Sequence, residues 1–249
     1  NNISELVTSN GITTDFTGPQ GTWVIDGDSS DIDWQNYTDS YSGYWLHFIE
    51  EGSGFKTHEY ALYNNDNSQY ITSWTATLDT SSNITGISLA ENQTYSLHVR
   101  GIDSVDNVGD VLMSDGVLVD LSAPAAPMNL VGWFSTERIY LVWDQNEEAD
   151  LDHYSIYGGT EMNSSTLLFT TTDSIAEAFM PEFEDSITYY LRITATDIPG
   201  NESAFTTDVM GIPQSAAITR INPDPINFLN AEDTQLSIHF SQPLLDIGA

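Results

Sequence analysis

Four aspartates crowd into eight residues near the start of the chain: in IDGDSSDIDW, Asp26, Asp28, Asp31 and Asp33 surround Gly27. Hard carboxylate oxygens at alternating positions, with a glycine to permit a tight bend, are ligands of the kind calcium takes. The loop is not an EF-hand, because flanking helices and a closing glutamate are absent. The same residues also build turns unaided, their side chains bonding nearby backbone amides. Calcium is one expectation for this loop and a solvated turn is the other.

Other chemistry is thinly represented. None of His47, His58, His98, His153 and His239 falls in a metalloprotease pattern, since HEYAL at 58–62 lacks the second histidine. The sequence contains no G-x-S-x-G elbow, no phosphate loop and no cysteine nucleophile. Carboxylate pairs abound, but a glycosidase pair needs a cleft between two positioned acids, which a small β domain rarely supplies. Trp23, Trp34 and Trp133 are less constrained by strand patterns than Trp45, Trp74 and Trp143, and could stack on a sugar ring. Asp103 with Asn107, and Asp197 with Asn201, read as turns shaped by side-chain bonds to the backbone.

Asp and Glu number 37 against 5 Lys plus Arg, for a formal net charge of −32. Charged residues are only 17% of the chain, so the asymmetry comes from missing cations. Such a surface repels phosphate backbones and anionic lipids, so neither nucleic acid nor membrane insertion is expected. No apolar run reaches the roughly 18 residues of a membrane span. The charge suits a chain that sits in salt, or one that binds divalent cations.

The elements that would position these residues repeat. SNGITTDFTGP at 9–19 returns as SDGVLVDLSAP at 114–124, an offset of 105, with Ser9, Gly11, Asp15 and Pro19 matching Ser114, Gly116, Asp120 and Pro124. TYSLHVRGIDSVDN at 94–107 returns as TYYLRITATDIPGN at 188–201, an offset of 94. Two matches nested in the same order indicate tandem modules. Within them apolar residues alternate at period two: Tyr95, Leu97 and Val99 against Ser96, His98 and Arg100; Tyr189, Leu191 and Ile193 against Tyr190, Arg192 and Thr194; Ile139, Leu141 and Trp143 against Tyr140 and Val142. Turn clusters such as DGDSSD, EEGSG and DQNEEAD separate short strands, and no amphipathic helix is evident. The expected class is all-β, with antiparallel sandwiches in tandem.

Trp143 in YLVWD, then DLDHYSIYGG, then Phe183 six residues before Tyr189, resembles the B, C and E–F strands of a fibronectin type III, immunoglobulin-like module. Leu89 and Tyr95 repeat that last spacing. WLHFIEEGSGFKTHEYAL, ITSWTATL and VRGIDSVDNVGD are similar to tandem repeats of bacterial secreted and cell-surface proteins, although IEEGSGF carries Glu where Asp is usual and SVDN replaces AGN. The resemblance implies tyrosine corners at Tyr95 and Tyr189, with Leu89, Phe183 and Trp143 in the cores.

It also implies an organisation: residues 1–17 as the last strand of a preceding repeat, modules at 18–122 and 123–213, and 214–249 as the first strands of a further, incomplete domain. The expected role is a non-catalytic spacer or adhesion region of a large extracellular or surface-exposed protein. The alternative is an accessory carbohydrate-binding module of a secreted enzyme. Partners would be neighbouring repeats, glycans or surface proteins; calcium is the one expected cofactor.

Overall fold

The computed structural model describes residues 8–135, 138–179, 183–184, 186–214, 218–222 and 237–240. The chain divides into two compact units, Asn1–Leu121 and Ser122–Ala249, one residue from the boundary placed by the repeats. We call them module 1 and module 2.

Module 1 pairs a small sheet with a large one. The small sheet runs β1 (Val24–Asp26), β3 (Ser40–Trp45), β7 (Ser81–Thr85), all antiparallel. The large sheet runs β2 (Trp34–Gln35), β10 (Val117–Val119), β8 (Thr94–Asp103), β4 (Phe55–Asn64), β5 (Gln69–Tyr70), with β2 and β10 parallel. β6 (Thr75–Thr77) adds to β4, and β9 (Leu112–Met113) to β8. Alternation decides which residues enter the core: along β3 every second side chain is buried, Tyr41 and Trp45 among them. Tyr95, Leu97 and Val99 of β8 meet them there with Leu62 and Leu89. Each large apolar side chain so buried contributes roughly 1.5–3 kcal/mol.

Module 2 has the sheets β11 (Met128–Ser135), β12 (Arg138–Asp144), β15 (Ile175–Phe179) and β14 (Leu167–Thr171), β13 (Leu151–Gly159), β16 (Tyr189–Asp197), β17 (Val209–Gly211). Ile139, Leu141 and Trp143 point into a core shared with Tyr154, Ile156, Phe183, Tyr189, Leu191 and Ile193. Trp143 meets Tyr154 edge-on, their ring centroids 5.1 Å apart. Beyond it, β18 (Ile218–Asn222) pairs antiparallel with β19 (Ser237–Phe240). The rest of the expected incomplete domain at 214–249 lies outside the described residues, except for Gln214.

Two observations refine the reading. First, residues 8–17, expected as the last strand of a preceding repeat, carry no strand pairing within this chain; residues 1–7 lie outside the described region. The segment is instead tied to module 1: Asn107 Nδ2 donates to the carbonyls of Asp15 and Thr17 at 3.2 and 3.4 Å. Next to it, Pro19 is buried against Gly101 and Gly109, where an added Cβ would meet the proline at 2.6 and 2.0 Å. Second, Ser96 and His98 face away from the core as expected, yet both are buried. Tyr63 of β4 stacks on the His98 ring at 4.5 Å, and Tyr70 of β5 lies against both. Aromatics from neighbouring strands, invisible in the β8 pattern, cover that row.

Candidate functional site

The same fastening occurs once in each module. The Tyr95 phenol accepts the Ala90 N–H at 2.9 Å, and the Tyr189 phenol accepts the Glu184 N–H at 3.0 Å, each from five residues upstream. Leu89 packs in the core with Tyr95, and the Phe183 ring stacks on Tyr189 with centroids 4.0 Å apart and planes 6° off parallel. Tyr189→Phe leaves the Glu184 N–H without its partner and should cost about 1 kcal/mol or somewhat more. Tyr95→Phe should cost a similar amount, and chemical denaturation of the two variants measures both. A loss below a few tenths of a kcal/mol would mean water replaces the phenol.

At the other end of β8 and β16 the turns also match. Asp103 Oδ1 accepts the Asn107 N–H at 2.7 Å and Asp103 Oδ2 accepts Asn107 Nδ2 at 2.7 Å. Asp197 and Asn201 make the same pair of bonds at 2.6 and 2.9 Å. The turn needs one left-handed residue, which is Gly200 at φ 94° in module 2 and Asp106 at φ 71° in module 1. Asp106 therefore stands where module 2 has Gly200, at the cost of placing a side chain in that region, which Asp tolerates better than most residues. Burial acts to raise Asp103, but the bonds from Asn107 win and hold its carboxyl below the usual range.

The Asp-rich loop does not gather as four. Asp26 and Asp31 come together, and the third carboxylate within 4.8 Å is Asp115, from the loop before β10. Asp28 and Asp33 belong to no such group among the described residues. Gly27 turns the chain at φ 91°, where a Cβ would sit 2.4 Å from the Ser30 carbonyl. That bend points Asp26 inward as the last residue of β1, while Asp28 and Asp33 stay exposed.

Asp26 is fully buried. Its Oδ2 accepts the Gly116 N–H at 3.0 Å and its Oδ1 meets the Tyr41 hydroxyl. That hydroxyl also lies 2.8 Å from the Tyr95 carbonyl, yet it carries one hydrogen for two acceptors. Burial pushes the Asp26 carboxyl up, and the charge of Asp31 adds to it, while bonds from Ser114, Tyr41 and Gly116 pull the other way. The Tyr41 hydroxyl thus bridges the buried Asp26 carboxyl and the Tyr95 carbonyl.

Of the tryptophans considered for sugar stacking, two belong to module 1 and one to module 2. Trp23 is edge-on to Tyr44 at 5.4 Å, Trp34 lies on β2, and Trp133 of module 2 tilts against Tyr140 at 5.6 Å. The aromatic face of module 1 is elsewhere, on the outer side of its large sheet. Trp74, Tyr70, Tyr63 and His98 touch in series, with Tyr70 Oη 3.1 Å from His98 Nδ1. Arg100 lies 4.1 Å over Trp74 and pairs with Glu59 at 2.7 Å. The signal for this ladder was the outward row Ser96, His98, Arg100 beside a Tyr- and Trp-rich SQYITSW. Only register joins them: Tyr63 falls opposite both Tyr70 and Ser96.

No protein-family model matches the chain, and no curated protein does either. Solved structures do. The FN1–FN3 domains of chicken CNTN1 superpose with a TM-score of 0.50 at 13% identity, over 82% of this chain and 71% of that one. A two-domain fibronectin type III segment of chicken tenascin matches with a TM-score of 0.32 at 11% identity, over 78% of this chain and 99% of that one. At such identities the CNTN1 likeness speaks for fold alone, and it agrees with the sheets described above. The fold of this chain is all-β, built of immunoglobulin-like sandwiches of the fibronectin type III kind.

Proposed function

We propose that this chain is a non-catalytic spacer and adhesion region of a large secreted or surface-exposed bacterial protein. The observation that supports it is the serial repetition of a self-contained sandwich. Each module has a core of its own, the same corner and the same Asp–Asn turn. A repeated, separately closed unit is how a chain gains length while each part keeps its own stability. The charge of −32 fits an exposed life in salt, where self-repulsion is screened.

Pulling on the two ends of the chain tests the spacer role. Two separate force peaks are expected, each releasing about 35 nm of chain for a module of roughly 100 residues at about 3.5 Å per residue. A single peak releasing both modules together would overturn the reading.

Calcium belongs to the same proposal, now through Asp26, Asp31 and Asp115. A cation there competes with protons for these carboxylates, and burial raises the pKa of Asp26, so its effect should grow with pH. Calcium should raise the melting temperature of module 1 beyond magnesium at matched ionic strength, by about 2.7 kcal/mol of stability at a hundredfold excess over Kd. Asp31→Ala with Asp115→Ala should remove the difference, whereas Asp28→Ala with Asp33→Ala should not. Equal responses to the two ions would leave a solvated turn.

A further inference from the structure

The aromatic face of module 1 borders a groove of about 780 Å3, within the usual range for a ligand site. Tyr63 and Tyr70 form one wall, Ser96 and His98 the floor, and Met113 and Asp115 the other wall. Tyr70 is 46% exposed and Met113 62%, while His98 is 6% exposed. No lysine or arginine lines it, and burial holds the His98 imidazole below its ordinary pKa, so it is uncharged at neutral pH. The fixed charge in the groove is the Asp115 carboxylate, with Asp26 and Asp31 within 4.8 Å of it. Tyrosine ring faces are themselves attractive to cations.

Module 2 shows what the corresponding place holds when it is filled. In the repeat that aligns TYSLHVRGID with TYYLRITATD, His98 corresponds to Arg192. The Arg192 guanidinium lies 3.6 Å over the Phe205 ring and donates to the Ser164 and Asn163 carbonyls at 2.8 and 2.6 Å. An aromatic face and acceptor oxygens thus bind a guanidinium from within the chain. Module 1 has a shorter, neutral residue at this position, brings aromatic rings to it from β4 and β5, and adds a carboxylate.

We propose that this groove binds a basic side chain, preferably arginine, of a partner protein, with Tyr63 and Tyr70 against the guanidinium and Asp115 as its counter-charge. Charge complementarity selects this occupant: a chain at −32 draws cationic partners and repels anionic ones. The planar guanidinium matches both a ring face and a carboxylate. The inference rests on the adhesion part of that reading and names the chemistry of its partner; the spacer part does not depend on it. Failure to bind would leave the two-peak pulling result intact, and a single force peak would not bear on binding.

The test uses the whole chain in calcium-free buffer at low salt, with the peptide acetyl-Gly-Arg-Gly-amide as probe and acetyl-Gly-Gln-Gly-amide as the neutral control. Heteronuclear NMR should show saturable shifts centred on Tyr63, Tyr70, His98 and Met113 with the arginine peptide and none with the glutamine peptide. Asp115→Asn should weaken binding at least fivefold, while Glu161→Gln, an equal change in net charge on an exposed residue of module 2, should change it less than twofold. His98→Arg should abolish binding by filling the groove from within, and Tyr70→Ala should weaken it with Asp115 intact. The amide spectrum of each variant reports whether it is folded. Equal weakening by Asp115→Asn and Glu161→Gln would reduce the effect to the general field of the molecule and overturn the site. Unchanged binding in His98→Arg, or shifts at the same residues with methyl β-glucoside and not with the arginine peptide, would do so as well.

Discussion

Phe183→Ala should destabilise module 2 by about 3–5 kcal/mol and leave the melting of module 1 where it was. The phenylalanine is buried, and its ring lies flat on Tyr189, 4.0 Å away. Removing it leaves a cavity in a core that relaxes only in part, which sets the size of the loss. It also frees the ring that carries the phenol bonded to the Glu184 N–H, so the corner bond weakens with it. The contrast with Tyr189→Phe is the informative part. One removes packing and the other a single bond of about 1 kcal/mol. The buried clusters of the two modules share no residue, so differential scanning calorimetry should resolve two transitions of which only one moves. If both fell together, the modules would not be independent; if neither moved, the ring would not be part of the core.

The second large effect is loss of module 1 stability in acid, through His58. This histidine, on β4 between β6 and β8, is fully buried and ringed by Trp45, His47, Phe48 and Phe55 at centroid distances of 4.6–5.7 Å. Its Nε2 accepts the Phe48 N–H at 3.4 Å, a long bond that requires the neutral ring. Burial lowers its pKa from 6.5 to about 4, and the neighbouring His47 adds repulsion, with the Asp79 backbone acting weakly the other way. Because the folded value lies below the unfolded one, the stabilisation is complete above about pH 6.5. It is lost as pH falls towards 4, by roughly 2–3 kcal/mol in all. Asp26 works in the opposite sense, since its raised folded pKa makes lower pH favourable to the fold until both states are protonated. Urea denaturation at several pH values should therefore show the slope between 6.5 and 4 flattening in His58→Gln and steepening in Asp26→Asn. A wild-type slope that survives His58→Gln would assign the acid lability elsewhere.

Much of the architecture was legible because β structure writes itself at period two. Ile139, Leu141 and Trp143 could be assigned to a core from alternation alone, and the two nested offsets located the corners at Tyr95 and Tyr189 before any contact was known. The Asp–Asn turns were readable for the same reason: their bonds span four residues, so both partners lie in one window of sequence. Local periodicity and local hydrogen bonding are properties of the chain itself.

What the sequence could not decide was everything that depends on register between distant strands. Asp115 joins Asp26 and Asp31 across about ninety residues, while Asp28 and Asp33, adjacent in sequence, are turned away by the bend at Gly27. His98 is buried because Tyr63 and Tyr70 arrive over it from β4 and β5, and nothing in β8 announces them. Asp15 and Pro19 fall in a segment with a strand pattern, and their docking on Asn107, Gly101 and Gly109 depends on shape that the pattern does not encode. A one-residue change of pairing would move every outward side chain to the other face. The groove between Tyr70 and Asp115 therefore exists only once the sheet has chosen its register, whereas the sandwich that carries it was set by the order of apolar and polar residues along the chain.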